Sequence, residues 1–300
     1  MSEPDVRSAE ATGRPDWVST QLFPYESRFV DLDGCRLHYV DEGEGPVLLL
    51  LHGNPTWSFL YRRVIARLRH RFRCVALDYP GFGLSSAPPG YRFTPVEHAG
   101  VVERFVAELG LDSFTPVLHD WGGPIGLAVA SRHPERVRAL VIANTFAWPV
   151  DGDRHFEWFS RIMGGDVGRI AIRRMNAFVN VVIPAGTSRR LSRPEMVHYR
   201  RPFPTPDARM PTYVFQREIM ASRTFLAEVE AGLSQLAHLP ALIAWGGRDV
   251  AFRHAERHRL EAAFPRHHSA VFERAGHYLQ EDAPEELASE IERWWGDHGP

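Results

Sequence analysis

Three hundred residues, 44% hydrophobic and 24% charged, are enough chain for one large globular domain, or one domain carrying an insertion. A formal net charge of -2 argues against a nucleic-acid or acidic-membrane partner. All 35 basic residues are Arg, and a chain without Lys has no Schiff-base lysine, no pyridoxal phosphate anchor and no P-loop lysine.

The polar start, residues 1–16, lacks the apolar core of a secretory signal. Residues 28–40 alternate around Asp33-Gly34, which predicts a β-hairpin. A continuous apolar run follows at 46–51, and similar runs occur at 73–77, 115–118, 139–143 and 241–245. Short runs without alternation predict strands buried on both faces of a parallel sheet. The longest of them is far too short to cross a bilayer, and a cytoplasmic protein is expected. Helical patterns at 96–109 and 124–133 lie between these runs, so the expected fold class is α/β with a mainly parallel sheet.

The alternation stops between about residues 147 and 223. Here Trp148, Phe156, Trp158, Phe159, Met163, Phe178 and Tyr199 occur among many Arg, before a Pro-rich loop at 201–211. Strand signals resume at Ala241 and Ser269, and an amphipathic helix at 284–295 closes the chain. The expected organisation is a core of residues 1–146 and 223–300, interrupted by a helical cap at 147–222. Cys35 and Cys74 follow no metal or redox spacing, and the fifteen His are scattered, so no metal site or disulfide framework is expected; no organic cofactor is expected either.

The segment Val117-Leu118-His119-Asp120-Trp121-Gly122-Gly123-Pro124 places Asp120 between a buried strand and a helix of small residues. This is the strand–turn–helix setting of a nucleophile elbow, although Leu118 stands where the serine-hydrolase pattern has Gly. Asp is also a common helix N-cap, so this segment alone leaves both roles open. Trp245-Gly246-Gly247-Arg248-Asp249 puts a second carboxylate just past a strand, and Arg274-Ala275-Gly276-His277 puts an imidazole after the last one. The order Asp120, Asp249, His277 is that of nucleophile, acid and base in α/β-hydrolases. Leu51-His52-Gly53-Asn54-Pro55 is the loop that supplies one oxyanion-hole N–H in that fold, from Asn54, with Trp121 supplying the other. The glycine-rich stretch Asp78-Tyr79-Pro80-Gly81-Phe82-Gly83 reads as a structural turn.

With these residues in view, the sequence resembles the haloalkane dehalogenases of the α/β-hydrolase superfamily over about residues 20–296. Its most specific marks are His-Gly-Asn-Pro-Thr-Trp at 52–57 and His-Asp-Trp-Gly-Gly-Pro at 119–124. The resemblance implies Asp120 as nucleophile, His277 as base, and Asn54 with Trp121 as the halide-binding pair. The family places its acid after either of two strands; one position holds Asn144 here, leaving Asp249 and an Asp-His-Asp triad. The implied partners are a small apolar halogenated substrate and a halide ion. No nucleic acid or membrane is expected, and a homo-oligomer stays open.

The residue types suit such chemistry. A serine displacing halide from a saturated carbon would form an ether, which water cannot readily cleave. A carboxylate forms an ester, which activated water opens. Epoxides are attacked in the same way, but their alkoxide needs a proton donor, for which Tyr199 and Tyr213 are the obvious cap residues. A non-catalytic receptor of this fold for a small apolar ligand is the rival outside enzymes. Phe146, Trp148, Phe156, Phe159 and Phe178 are the expected pocket walls.

Overall fold

The computed structural model describes residues 13–299. Most of the polar stretch at 1–16 therefore lies outside the described residues. Strands β1 (Arg28–Leu32) and β2 (Cys35–Glu42) form the expected hairpin, with Leu32 opposite Cys35. Asp33 and Gly34 turn it with φ of 52° and 78°, the left-handed pair that a two-residue hairpin requires.

Six further strands complete the sheet: β3 (Val47–Leu51), β4 (Arg73–Leu77), β5 (Thr115–Asp120), β6 (Leu140–Thr145), β7 (Ala241–Gly246) and β8 (His267–Phe272). The order is β1-β2-β4-β3-β5-β6-β7-β8, and every pair from β4 to β8 is parallel. All residues of β6 and β7 are buried, because helices cover both faces of the sheet's centre. Fully burying each Leu, Ile or Val there contributes about 1.5–3 kcal/mol.

Before the insertion, the flanking helices are α1 (Arg62–Leu68), α2 (Pro95–Glu108) and α3 (Gly122–Arg132). A Thr94–Glu97 capping box starts α2. Helix α3 is buried from Gly122 to Ala130, since it runs under the middle of the sheet between its neighbours. Gly126 lets it approach: a Cβ there would lie 2.3 Å from Leu118 Cδ2.

Between β6 and β7 lie α4 (Arg154–Met163), α5 (Asp166–Met175), a π-helical turn (Phe178–Val182), α6 (Ile183–Gly186), α7 (Arg193–Arg200) and α8 (Met210–Ala221). Pro211 falls in the first turn of α8, where no N–H is needed, so the Pro-rich loop ends just before it. Then α9 (Arg223–Leu236) returns to pack on α3. The inserted helices carry a small core of their own around Ile172, Phe178, Tyr213 and Val214. A buried ionic knot ties them to the rest. Arg62 donates to Glu281 at 2.6 Å and to Glu195 at 2.8 Å, Arg189 bridges the same two carboxylates, and Tyr199 donates to Glu281.

After β7 the chain forms α10 (His254–Ala263), then β8, α11 (Leu279–Asp282) and α12 (Pro284–His298). No helix among the described residues is long and apolar enough to cross a membrane. The 78–83 turn is held by Asp78, which accepts from Ser58 N at 2.7 Å and Leu84 N at 3.0 Å and meets His38 Nδ1 at 2.8 Å.

Candidate active site

Asp120 ends β5 at φ 51°, a left-handed conformation that costs a non-glycine residue on the order of 1 kcal/mol. The turn is sharp enough that only small residues fit around it: a Cβ on Gly53 would meet Asp120 Oδ1 at 2.1 Å, and one on Gly123 would meet Thr145 Oγ1 at 1.8 Å. The strain aims the carboxylate upward at the start of α3, whose N-terminal N–H groups favour an anion. Asp120 Oδ1 accepts from the Asn54 backbone N–H at 2.7 Å, and the Trp121 N–H also faces this carboxylate. Thr145 Oγ1 donates to the Asp120 carbonyl at 2.5 Å and pins the turn from below.

His277 stands on the loop between β8 and α11. Its Nδ1 lies 3.0 Å from Asp249 Oδ2, and its Nε2 lies 3.8 Å from Asp120 Oδ2. An ionised carboxylate only accepts, so Nδ1 carries the proton toward Asp249 and Nε2 faces the gap. That gap is too long for a direct hydrogen bond. Asp249 is oriented by two more donors, Ala251 N at 2.7 Å and Phe252 N at 3.2 Å.

Two further side chains fix the His277 loop. Asn144 donates to the Gly276 carbonyl at 3.0 Å and the His277 carbonyl at 2.7 Å, while its Oδ1 accepts from Gly246 N at 2.9 Å. A carboxylate at this position would have no hydrogen for the two carbonyls, which is a structural reason for a neutral amide there. His119 Nε2 donates to the His277 carbonyl at 2.9 Å, and burial holds its pKa well below the usual value, so it stays neutral.

The charges are coupled. Burial disfavours the His277 imidazolium, but the charge and hydrogen bond of Asp249, together with the charge of Asp120, outweigh it and raise its pKa above 6.5. Burial raises the Asp120 pKa, and His277 with the Trp121 and Asn54 N–H groups only partly offsets this.

Above the carboxylate lies a cavity of about 360 Å³. Asn54, Asp120, Trp121 and His277 meet there, and Phe146, Phe156, Phe159 and Phe178 line it. Trp121 packs edge-on to Phe146 at 5.1 Å, and its indole N–H has no protein acceptor among the described residues. The Asn54 amide nitrogen donates to the Thr212 carbonyl at 3.0 Å, and its second hydrogen has no acceptor among the described residues.

Three of the named aromatics lie elsewhere. Trp148 is buried away from the cavity beneath the Arg259 guanidinium, 4.2 Å from the ring centre, because it packs into the main core ahead of the first inserted helix, α4. Tyr199 donates into the ionic knot, and Tyr213 donates to the Gly164 carbonyl at 3.0 Å, so neither hydroxyl reaches the cavity. Conversely, Gln216, Ile219, Val250, Phe252 and Tyr278 line it without a sequence motif to announce them. Tyr278 directly follows His277, and Val250 and Phe252 closely follow Asp249, so nearness to those motif residues was the signal that could have found them; the Phe252 ring lies 5.5 Å from that of His277.

A carboxylate at a strained strand-to-helix turn, a distant carboxylate–imidazole pair and two facing N–H groups define a hydrolase-type site on an α/β sheet. Consistently, residues 46–284 match the family model described as alpha/beta hydrolase fold. "Haloalkane dehalogenase 2" of Mycobacterium tuberculosis is 47% identical over 273 residues, covering 90% of this chain and 95% of that protein. The haloalkane dehalogenase DbeA from Bradyrhizobium elkani superposes with a TM-score of 0.84 at 28% identity, over 90% of this chain and 97% of that one. A "Cis-3-alkyl-4-alkyloxetan-2-one decarboxylase" of Shewanella oneidensis is 32% identical over 285 residues, covering 91% and 89%. The chain belongs to the haloalkane dehalogenase family within the α/β-hydrolase superfamily.

Proposed function

We propose that this protein hydrolyses alkyl halides to alcohol, halide and a proton through an ester on Asp120, with an Asp120–His277–Asp249 triad and an Asn54–Trp121 halide pair. The reading assigns residues 147–222 to a cap that closes a water-poor pocket over the core of 1–146 and 223–300. One observation carries it: Asp120 borders an apolar cavity with its Oδ1 held by the Asn54 backbone N–H and its Oδ2 3.8 Å from His277 Nε2.

In the first step Asp120 Oδ2 attacks the carbon bearing the halogen, the carbon–halogen bond breaks, and the halide departs against the Trp121 and Asn54 N–H donors. Ester formation removes the Asp120 charge, one of the two that hold the His277 pKa up, and so makes its Nε2 a readier base. A water in the gap passes its proton to Nε2 and attacks the ester carbonyl carbon. The Asn54 and Trp121 backbone N–H groups, already directed at this carboxylate, stabilise the resulting oxyanion. As the intermediate collapses, the ester C–O bond breaks, and the departing alkoxide takes the proton held on His277 Nε2 and leaves as the alcohol. The Asp120 carboxyl loses its own proton to solvent, which restores the carboxylate and releases the product proton.

The epoxide reading loses its support here, since Tyr199 and Tyr213 spend their hydroxyls outside the cavity. The oxetanone decarboxylase relatives motivate a second reading, attack of Asp120 on a strained lactone ring. Single turnover of 1-bromobutane in ¹⁸O water separates these. The label is expected in the Asp120 carboxylate, with unlabelled first-turnover alcohol and one halide released per alcohol. Labelled first alcohol would mean direct attack by water. No halide release from haloalkanes, with carbon dioxide released from a cis-dialkyl oxetanone, would establish the second reading instead.

A further inference from the structure

We propose that Gln216 is a third N–H donor to the departing halide, acting beside Trp121 and Asn54. The inference rests on the dehalogenase reading and extends its halide site to the inserted helices. Gln216 lies on α8, is 2% exposed, and forms part of the cavity wall. An amide in a wall otherwise built from residues such as Phe146, Phe156 and Ile219 is costly unless a polar partner meets it.

Its protein partner is a poor one. Gln216 Nε2 reaches the Thr212 carbonyl at 3.4 Å, at the long limit for such a bond. That carbonyl also receives Asn54 Nδ2 at 3.0 Å, and its position one turn earlier in α8 makes it the helical acceptor of Gln216's own backbone N–H. The side-chain amide is therefore the most weakly held of the groups converging on one oxygen.

The shared carbonyl sets the Gln216 and Asn54 amides side by side. The preceding residue, Phe215, lies 5.2 Å from the Trp121 ring, so this turn of α8 rests on both members of the halide pair. Each amide nitrogen bears two hydrogens, and Thr212 takes one from each. Two amide N–H groups and the Trp121 indole N–H are then free for an anion that leaves a saturated carbon in a site with little water. The bond changes are those of the main reaction; Gln216 forms no covalent bond and transfers no proton.

The test compares the wild-type chain with Gln216→Leu, Gln216→Met and Gln216→Glu. Chloride and iodide affinities are read from fluorescence quenching and product inhibition, and kcat/KM is measured for 1-chlorobutane and 1-iodobutane. Loss of one such donor typically costs on the order of 100-fold in rate. Gln216→Leu and Gln216→Met should weaken chloride binding and lower kcat/KM for chlorobutane by about 10- to 100-fold, with a clearly smaller loss for iodobutane. Gln216→Glu keeps the shape but sets a like charge beside the halide, and should be worse than either. A merely structural role would lower both substrates equally and leave halide affinity alone; that result, in whichever apolar variant folds, overturns the proposal. If the wild type releases no halide from either haloalkane, the dehalogenase reading itself has failed, and a Gln216-dependent change in chloride binding would still stand apart from it.

Discussion

On the cavity floor, Asp120 and His277, with Asp249 directly behind His277, are each held by at least two hydrogen bonds to neighbouring backbone or side-chain groups. On the walls, Phe156, Phe159 and Phe178 are placed only by packing, and Gln216 by one long hydrogen bond. The floor sits at strand ends of a sheet buried on both sides; the walls come largely from short helices whose outward faces leave Trp158, Val167, Ile170 and Met175 exposed. The contrast teaches a division of labour. In the proposed reaction, the groups that carry charge need fixed geometry and stand on the rigid element, while the groups proposed to select the alkyl chain stand on an element with its own small core.

The largest test of that division strikes the floor. Asp249→Asn keeps the shape and removes the charge that orients His277, and should lower turnover on the order of 10⁴-fold with the fold intact by circular dichroism. His277→Phe should still alkylate Asp120 and then stop, so intact-mass spectrometry should find the alkyl group retained. The pH dependence follows from the shifts. With Asp249 ionised, the His277 pKa is raised; Asp249→Asn loses that support and should move the lower limb of the single-turnover pH profile to lower pH. Asn144→Ala loosens the same loop without removing a charge, so it should slow turnover and leave that limb in place. A shifted limb in Asn144→Ala, with an unshifted one in Asp249→Asn, would reverse the assignment of the acid.

The floor was legible in the sequence because its residues follow strands, and strands here are continuous apolar runs: Val47–Leu51 before Asn54, Thr115–Asp120 ending on the carboxylate, Ala241–Gly246 before Asp249. A residue placed just past a strand end has its position set by the sheet. The walls were only half legible. Phe156 and Phe178 face the cavity while Trp148 faces Arg259, and composition alone cannot say which way an aromatic on or near a short helix turns. Gln216 is one polar residue in α8, and only the nearness of Asn54, 162 positions earlier in the chain, gives it meaning.

Trp121→Phe is expected to have a middle-sized effect, because Trp121 belongs to both regions: its backbone stands on the floor and its ring packs against Phe146 and Phe215. The substitution keeps most of the ring and removes the donor. Loss of about 100-fold is expected, greater for chloride than for iodide because the smaller anion concentrates its charge. Equal loss for both halides would assign Trp121 to packing alone and move it to the side of the walls.

The smallest effect on ester hydrolysis is expected at Phe178, which lines the cavity and also belongs to the insertion's own core with Ile172, Tyr213 and Val214. Phe178→Ala removes a buried ring, and such truncations cost about 3–5 kcal/mol of stability when the site cannot collapse. The melting temperature should therefore fall even though no charged group has been touched. Its effect on the reaction should be a change of preference: a hydrophobic pocket discriminates by only about 1–3 kcal/mol per methylene, or about 10- to 200-fold, so longer 1-haloalkanes should gain relative to 1-bromobutane. The rate of ester hydrolysis, measured on the alkylated protein in a single turnover, should stay within about threefold of wild type, because the Asp249–His277–Asp120 geometry belongs to the floor. A Phe178→Ala protein that melts normally but hydrolyses its ester a hundred times more slowly would show that the wall positions the reacting groups, and the division between the two regions would fall.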